Sequence, residues 1–214
     1  KEAMASLWND RAISYRVDKG FNHFDVALSV GVQKMVRSDK GSSGVMFTLD
    51  TESGFKGVVE IDASWGLGEM VVQGKVTPDS YLVFKPTLNN GFSPIIKKTI
   101  GSKENKMIYV TSGKDSLSAT KAIKEVDVEK SDREIFVLTN DEILTLARWA
   151  VEIENHYTEK AHKPTPMDME WAKDGITKKL YIVQARPETV QSQKKPSLFV
   201  TYSLPDKKSP LLTG

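Results

Sequence analysis

Four polar side chains near the C-terminal end of the chain have types and spacing that suit phosphate and metal chemistry. Asp168 and Glu170 stand two residues apart, as do Gln184 and Arg186. Mg²⁺ takes one or two protein carboxylates and completes its shell with phosphate oxygens and water. Arginine presents a planar fork to phosphate, and a glutamine carbonyl can also ligate a cation. The alternative is a solvent-facing Glu–Arg pair, which contributes little to stability, and the residues alone leave both interpretations open.

A β-hairpin is the element that would bring these four side chains together. Segments 167–172 and 180–185 read as strands around a turn that contains Lys-Asp-Gly at 173–175. Alternate side chains of a strand share a face, so the two acids, the amide and the guanidinium are predicted to converge on one surface. The residues predicted on the opposite face are Met167, Met169, Trp171, Tyr181, Val183 and Ala185.

A glycine-rich run provides a second candidate ligand site. Residues 66–69 read Gly-Leu-Gly-Glu after a predicted strand, and Gly74 and Pro-Asp at 78–79 follow. Glycines permit close backbone approach, and free amides can hold an anion. The run matches neither the G-x-x-x-x-G-K-[ST] phosphate loop nor the full dinucleotide pattern. A tight turn is the competing interpretation.

Composition excludes several classes of protein and site. The chain has 214 residues, 30 Lys plus Arg against 28 Asp plus Glu, and a net charge of +2, which argues against nucleic-acid binding. It has no cysteine, which excludes disulfides and Cys-based zinc sites and fits a cytoplasmic protein. Its apolar runs are too short to span a membrane. The histidines, which are too scattered for metal-ligand spacing, are His23, His156 and His162.

The periodicity of apolar residues predicts an α+β fold with few helices. Helices are predicted at 3–17 and 140–157, and the second begins with Thr139 and Glu142 in capping-box spacing. No element is predicted within 102–134, and the chain from Pro187 onward resembles a linker. The predicted strands outside the hairpin are 25–36, 45–50, 58–64, 81–85 and 94–100, with a flexible link at 41–44.

Several runs together resemble the phosphoenolpyruvate synthase family, within the wider pyruvate phosphate dikinase superfamily. The likeness extends from about residue 5 to about residue 192, and the Gln-Ala-Arg-Pro ending is highly specific. The runs are Asp-Arg-Ala-Ile-Ser-Tyr-Arg at 10–16, Val-Gln-Lys-Met-Val at 32–36, Ser-Gly-Val-Met-Phe at 43–47, Gly-Leu-Gly-Glu at 66–69, Pro-Thr-Pro-Met-Asp at 164–168, Glu-Trp-Ala-Lys-Asp-Gly at 170–175 and Gln-Ala-Arg-Pro-Glu-Thr-Val at 184–190.

The resemblance implies part of an ATP-grasp domain, with a mixed or antiparallel sheet, that binds ATP and Mg²⁺. It implies that Glu170 and Gln184 are the Mg²⁺ ligands and that Arg186 holds phosphate as a catalytic group. It also implies a hinge segment beside the adenine, formed by Gln33, Lys34, Met35 and Val36. By this likeness, 1–36 ends the first subdomain, 37–190 forms the second lobe, and 191–214 leads toward a phosphohistidine domain.

The family reaction converts ATP, pyruvate and water to phosphoenolpyruvate, AMP and phosphate through a phosphohistidine. The chain shows neither the Thr-x-Gly-Gly carrier motif nor length for a pyruvate-binding barrel. By itself it is therefore expected to be inactive, to meet pyruvate only through other domains, and to bind ATP weakly. The exposed acids of the hairpin favour a bound metal or a homodimer contact.

Two other functions remain open from the sequence. One is a phosphotransferase of the same superfamily that acts on a rifamycin-type antibiotic, although the runs at 10–16 and 164–168 favour the synthase. The other is a truncated product that serves only as a non-catalytic binding module.

Overall fold

The computed structural model describes residues 1–90, 93–110 and 123–189. The chain divides into two compact units, Lys1–Met35 and Val36–Gly214, and each is described by itself. The predicted linker at 191–214 lies outside the described residues. None of the helices in the described ranges has the length and apolar character needed to cross a membrane.

The first unit contains short helices at its start. These are α1 (Glu2–Ala5), a 3-10 turn (Ser6–Trp8) and α2 (Asp10–Lys19). The Asn9 side chain accepts the Ala12 N–H at 2.8 Å, which caps α2, and Gly20 ends it in the left-handed region at φ +69°. The predicted helix at 3–17 is therefore helical but interrupted at Asn9.

The strand predicted at 25–36 is wrong. Residues 26–37 have no regular secondary structure, although Leu28, Val30 and Val32 alternate as a strand would. Alternation alone does not make a strand, because its backbone N–H and C=O groups need a neighbouring strand. The Val32 side chain is 98% exposed, so the pattern has no buried face in this unit.

The second unit is built on a six-stranded antiparallel sheet with strand order β4-β3-β2-β1-β7-β8. This confirms the α+β prediction with an antiparallel sheet and few helices. Its strands are β1 (Ser42–Phe47), β2 (Val58–Trp65), β3 (Asp79–Phe84), β4 (Ile95–Thr99), β7 (Met167–Lys173) and β8 (Leu180–Pro187).

The first strand of this sheet begins earlier than predicted. Residues 42–44, predicted as part of a flexible link, belong to β1, and the strand ends at Phe47. Gly44 lies so close to β2 that an added Cβ would stand 1.8 Å from the Asp62 carbonyl oxygen. The glycine is therefore needed for close strand packing, whereas composition alone suggested flexibility.

Helix α5 (Asn140–Ala161) covers one face of the sheet. It begins with the predicted capping box: Thr139 Oγ1 accepts the Glu142 N–H at 3.3 Å, and Glu142 Oε2 accepts the Thr139 N–H at 3.0 Å. It continues four residues past the predicted end and stops at His162, which has φ +53°. Its buried residues, which pack on the sheet, are Ile143, Leu146, Ala147 and Ala150.

The region 102–134, where no element was predicted, contains regular structure. Strands β5 (Asn105–Tyr109) and β6 (Ile123–Asp127) form a separate antiparallel pair, and helix α4 spans Lys130–Arg133. Met107 of β5 joins a small core with Met70 of the one-turn helix α3 (Glu69–Val72). The strands are short and largely polar, which explains why periodicity did not reveal them.

Candidate nucleotide site on the β7–β8 hairpin

The predicted hairpin is present and brings the four polar residues together in pairs. Glu170 lies directly opposite Gln184, and Asp168 lies directly opposite Arg186, on adjacent antiparallel strands. Directly opposed residues have Cβ atoms about 4.5–5.5 Å apart and point to the same face. The prediction that Glu170 and Gln184 lie on adjacent antiparallel strands and share a face with Asp168 and Arg186 is therefore confirmed.

The opposite face of β7 packs into the core. Met167, Met169 and Trp171 are at most 1% exposed, whereas Asp168 and Glu170 are only partly buried. This alternation fixes which face of β7 carries the acids, because a one-residue slip would drive both carboxylates into the core.

A β-bulge in β8 shifts the alternation of its side chains, so one predicted side-chain direction is wrong. Trp171 pairs with Ile182 while Glu170 pairs with Gln184, so Val183 is an extra residue in the strand. Tyr181 therefore lies on the same face as Gln184, not opposite to it as predicted. Ala185 packs against the core as expected. The bulge adjusts the register so that Gln184 still faces Glu170.

Arg186 and Asp168 form an ion pair. Both Nε and Nη2 of Arg186 lie 2.8 Å from Oδ2 of Asp168. The Arg186 side chain is 64% exposed, and the Asp168 side chain is 17% exposed. The guanidinium is thus oriented by Asp168 while its remaining N–H groups stay accessible, which suits an arginine that receives an anion from solvent.

A cavity of about 410 Å³ opens beside this ion pair. Its volume is in the range of small-ligand pockets. The residues that line it are Phe47, Thr51, Asp168, Arg186, Pro187, Glu188 and Thr189.

The same face of the sheet carries two more carboxylates on β2. Val45 of β1 pairs with Glu170 on one side and with Asp62 on the other, so the three stand in a row across the sheet. Burial, reinforced by the charge of Glu60, raises the pKa of Asp62 to about 6, against a hydrogen bond with Ser80 that lowers it. We call Glu60, Asp62, Asp168, Glu170, Gln184 and Arg186 the acidic face.

Gly66, the first residue of the glycine-rich run, lies where two backbone segments pass close to each other. Gly66 has φ +83°, and an added Cβ would stand 2.6 Å from the Met107 carbonyl oxygen. The Ser43 hydroxyl donates to the Gly66 carbonyl at 2.6 Å, and the Leu67 N–H donates to the Met107 carbonyl at 2.9 Å. The tight-turn interpretation therefore explains Gly66. Gly68 lies at the start of α3 beside Ser43.

The predicted hinge residues lie at the division between the two units. Gln33, Lys34 and Met35 are exposed residues of the first unit without regular structure, and Val36 is a half-buried residue of the second. Their role beside an adenine stays a prediction.

The histidines have local structural contacts. His23 Nδ1 accepts a hydrogen bond from Arg16 Nε at 2.9 Å, His156 stacks edge-on against Tyr157, and His162 ends α5. In the part of the chain that the structure describes, there is no cluster of three or more His, Asp or Glu residues poised around a metal. The Glu170–Gln184 pair fits Mg²⁺ only when phosphate and water supply the other ligands.

Sequence reasoning missed two features of the second unit. The first is a buried ion pair between Lys103 and Asp79, both fully buried, which joins residues of no shared motif. The second is the contact between Arg37 and Asp174. The Asp-Gly at the hairpin turn was a visible signal for a special conformation, but its partner 137 residues away was not.

Comparison with known proteins identifies the family of this chain. Residues 1–201 match the model of the pyruvate phosphate dikinase, AMP/ATP-binding domain. The chain is 57% identical over 213 residues to phosphoenolpyruvate synthase of Synechocystis sp., covering 100% of the chain and 25% of that protein. The Aquifex aeolicus synthase is 57% identical (95% of the chain, 23% of that protein), and the Escherichia coli synthase is 56% identical (90% and 23%).

The chain spans about a quarter of the length of these curated relatives. The resemblance read from the motifs is confirmed by a match that covers 201 of the 214 residues. The chain belongs to the family of pyruvate phosphate dikinase AMP/ATP-binding domains.

Proposed function

We propose that this chain is the ATP- and Mg²⁺-binding portion of a phosphoenolpyruvate synthase, and that the acidic face forms half of an ATP-grasp site. The observation that carries the proposal is the register of the hairpin. It sets Glu170 opposite Gln184 and places Arg186 two residues farther along on the same face. The names of the relatives favour the synthase over a related antibiotic phosphotransferase.

Glu170 and Gln184 are proposed to hold Mg²⁺. A carboxylate and an amide carbonyl on facing strands offer two hard oxygen ligands, and neither must move far, because the strand pairing fixes both. When bound, the ion would neutralise developing charge on the transferred phosphoryl group.

Arg186 is proposed to hold a phosphate of ATP. A guanidinium is a cation with a planar fork of N–H donors, so it can stabilise negative charge on the phosphoryl group through hydrogen bonds. Asp168 positions this guanidinium through contacts of 2.8 Å. The cavity beside the pair has room for phosphate oxygens and water.

The segment Gln33, Lys34, Met35 and Val36 is proposed to contact the adenine, on the family resemblance alone. For the whole protein, the proposed reaction is phosphoryl transfer from ATP to a carrier histidine and then to pyruvate. Those later steps belong to other domains of the synthase.

Calorimetric titration of the chain with Mg-ATP tests the proposal. Glu170→Gln keeps the shape of the side chain and removes its charge, so we expect Mg-ATP affinity to fall by about tenfold or more. Glu125→Gln is the matched control, because Glu125 is an exposed glutamate on strand β6 of the separate two-stranded sheet. Equal affinity of Glu170→Gln and wild type would contradict the role of Glu170 as a metal ligand.

A further inference from the structure

We propose that Asp174 is a positioning residue that fixes the chain just after the hinge segment against the hairpin that carries Glu170 and Gln184. This inference rests on the proposed function, which gives both ends of the contact a role in binding one Mg-nucleotide. Asp174 itself is proposed to contact neither the metal nor the nucleotide.

Two hydrogen bonds join the turn of the hairpin to the backbone of Arg37. The Arg37 N–H donates to Asp174 Oδ2 at 3.2 Å, and the Gly175 N–H donates to the Arg37 carbonyl at 3.0 Å. Both backbone groups of a single residue are therefore held by the turn. Arg37 directly follows Val36, so this contact fixes the backbone next to Val36 within the second unit.

Asp174 is itself held rigidly by the turn. Its Oδ1 accepts the N–H groups of Ile176 and Thr177, both at 2.8 Å. Its backbone N–H donates to the Lys179 carbonyl at 2.9 Å, and its carbonyl accepts the Lys178 N–H at 2.8 Å. The backbone hydrogen bonds, that of Thr177 foremost, lower the pKa of Asp174. Hydrogen bonds within its own turn thus orient the carboxylate that accepts the Arg37 N–H.

Two glycines bring the backbones into direct contact at this point. An added Cβ at Gly175 would stand 1.9 Å from the Lys40 carbonyl oxygen, and one at Gly41 would stand 2.3 Å from the Lys173 carbonyl oxygen. The two backbones therefore pack so closely that neither position has room for a side chain. The contact is therefore close-packed as well as hydrogen-bonded.

The Arg37 side chain adds a further restraint. Its Nε and Nη2 donate to the two carboxylate oxygens of Asp39, each at 2.8 Å. The guanidinium also lies over the Tyr109 ring, 5.9 Å from its centre. The side chain and both backbone groups of Arg37 are thus fixed within the second unit.

The hairpin transmits this restraint to the proposed metal ligands. Lys173 pairs with Leu180 next to the turn, and Glu170 pairs with Gln184 along the same ladder. The bulge at Val183 lies between the turn and this pair, and the two strands are paired on both sides of it. Displacement of the turn therefore displaces the ligand pair. Asp174 would thereby hold Val36, the hinge residue that belongs to the second unit, in a fixed position relative to the metal ligands, and this alignment favours binding of one nucleotide by both.

Asp174→Asn isolates this contact. The amide keeps a carbonyl oxygen that accepts from Ile176 and Thr177, but its NH₂ group cannot accept the Arg37 N–H. Asp50→Asn is the matched control, since Asp50 Oδ1 likewise accepts two backbone N–H groups, from Glu52 at 2.9 Å and Ser53 at 3.2 Å. Asp50 lies in the loop after β1, away from the hairpin turn.

The experiment compares wild type, Asp174→Asn and Asp50→Asn by Mg-ATP titration, Mn²⁺ titration, melting temperature and amide hydrogen exchange. For Asp174→Asn we expect faster exchange at the Arg37 amide and Mg-ATP affinity about tenfold weaker. Mn²⁺ affinity without nucleotide should match wild type, and the melting temperature should match that of Asp50→Asn. That combination separates positioning from a merely structural role.

Each other outcome overturns one claim or both. Unchanged Mg-ATP affinity in Asp174→Asn overturns the positioning role and leaves the proposed function intact. A parallel loss of Mn²⁺ binding and melting temperature, beyond that of Asp50→Asn, shows that Asp174 is only structural. Absence of Mg-ATP binding by wild type at millimolar nucleotide overturns the proposed function and this inference together.

Discussion

The two faces of the six-stranded sheet are built from alternate residues of the same strands, yet they have opposite chemistry. The face beneath α5 is apolar and closed, with Met46, Ile61 and Met169 fully buried. The acidic face presents Glu60, Asp62 and the hairpin pairs. One set of residues therefore stabilises the packed sheet, and the other is the set proposed to bind a ligand. Changes beneath α5 should lower stability, whereas changes on the acidic face should alter binding or pH dependence.

The largest expected effect is at the buried ion pair on the helix side of the sheet. Asp79 accepts hydrogen bonds from Lys103, from the Gly101 and Val137 N–H groups at 2.8 Å each, and from Tyr81. Lys103→Met leaves the Asp79 charge buried without its counter-ion, so we expect the free energy of unfolding to fall by about 3–5 kcal/mol. Urea denaturation measures it.

Lys75→Met is the control for that change, because Lys75 is exposed and should tolerate the substitution within about 0.5 kcal/mol. Equal stability of the two variants would show that the buried pair has no structural role.

The next largest loss of stability is expected in the core between α5 and the sheet. Leu146 of α5 is fully buried against the sheet, and Leu146→Ala removes apolar contacts and leaves a cavity. We expect a loss of about 2–5 kcal/mol in the free energy of unfolding, with Mg-ATP affinity unchanged at temperatures where the variant is folded. A specific loss of nucleotide binding in the folded variant would show that the face beneath α5 also contributes to binding, which contradicts the proposed division between the two faces.

Asp62 should show that a carboxylate on the acidic face opposes folding. The pKa of Asp62 rises from 3.8 to about 6 in the folded state. The folded protein therefore binds the carboxyl proton of Asp62 more tightly than the unfolded chain does. The free energy of unfolding therefore falls as pH rises from about 4 to about 6, by up to about 3 kcal/mol from this group. We expect Asp62→Asn to remove that fall and to be more stable than wild type at pH 8.

Denaturation curves at pH 4 and pH 8 measure this difference between variant and wild type. A variant that is less stable than wild type at pH 8 would show that the Asp62 charge is compensated within the face.

Arg186 should show a binding effect with little cost in stability. Its ion pair with Asp168 is largely exposed on the arginine side, so Arg186→Ala should change the free energy of unfolding by less than about 1 kcal/mol. Loss of a charge-assisted phosphate contact should weaken Mg-ATP binding by about tenfold to a hundredfold. Arg148→Ala, an exposed arginine on α5, should alter neither quantity.

The same contrast explains which parts of the fold were predictable. Local signals identified α5, through Thr139 and Glu142, and the hairpin, through alternation around Asp174 and Gly175. The bulge at Val183 was not visible, because it depends on how two strands pair and not on residue type. The pattern at 25–36 was convincing and wrong, because a strand needs a partner that a single segment cannot reveal.

Long-range contacts account for the remaining misses. The Asp79–Lys103 pair and the Arg37–Asp174 contact join residues brought together only by the folded sheet. Alternation along the hairpin correctly predicted that its two acids, its amide and its arginine share one face. Their roles in binding Mg-ATP stay proposals. Polar residues at alternate positions beside a buried apolar set proved the most informative pattern, since burial on one face fixes the register of the other.

Paramagnetic broadening by Mn-ATP in the amide spectrum of the chain tests the central claim most directly. Mn²⁺ shares the oxygen-ligand preference of Mg²⁺ and broadens the signals of nearby amides. We predict selective broadening at Asp168–Glu170 and Gln184–Arg186, little effect along α5, and loss of the hairpin broadening in Glu170→Gln. Broadening centred elsewhere, or unchanged in that variant, would contradict a nucleotide site on the acidic face.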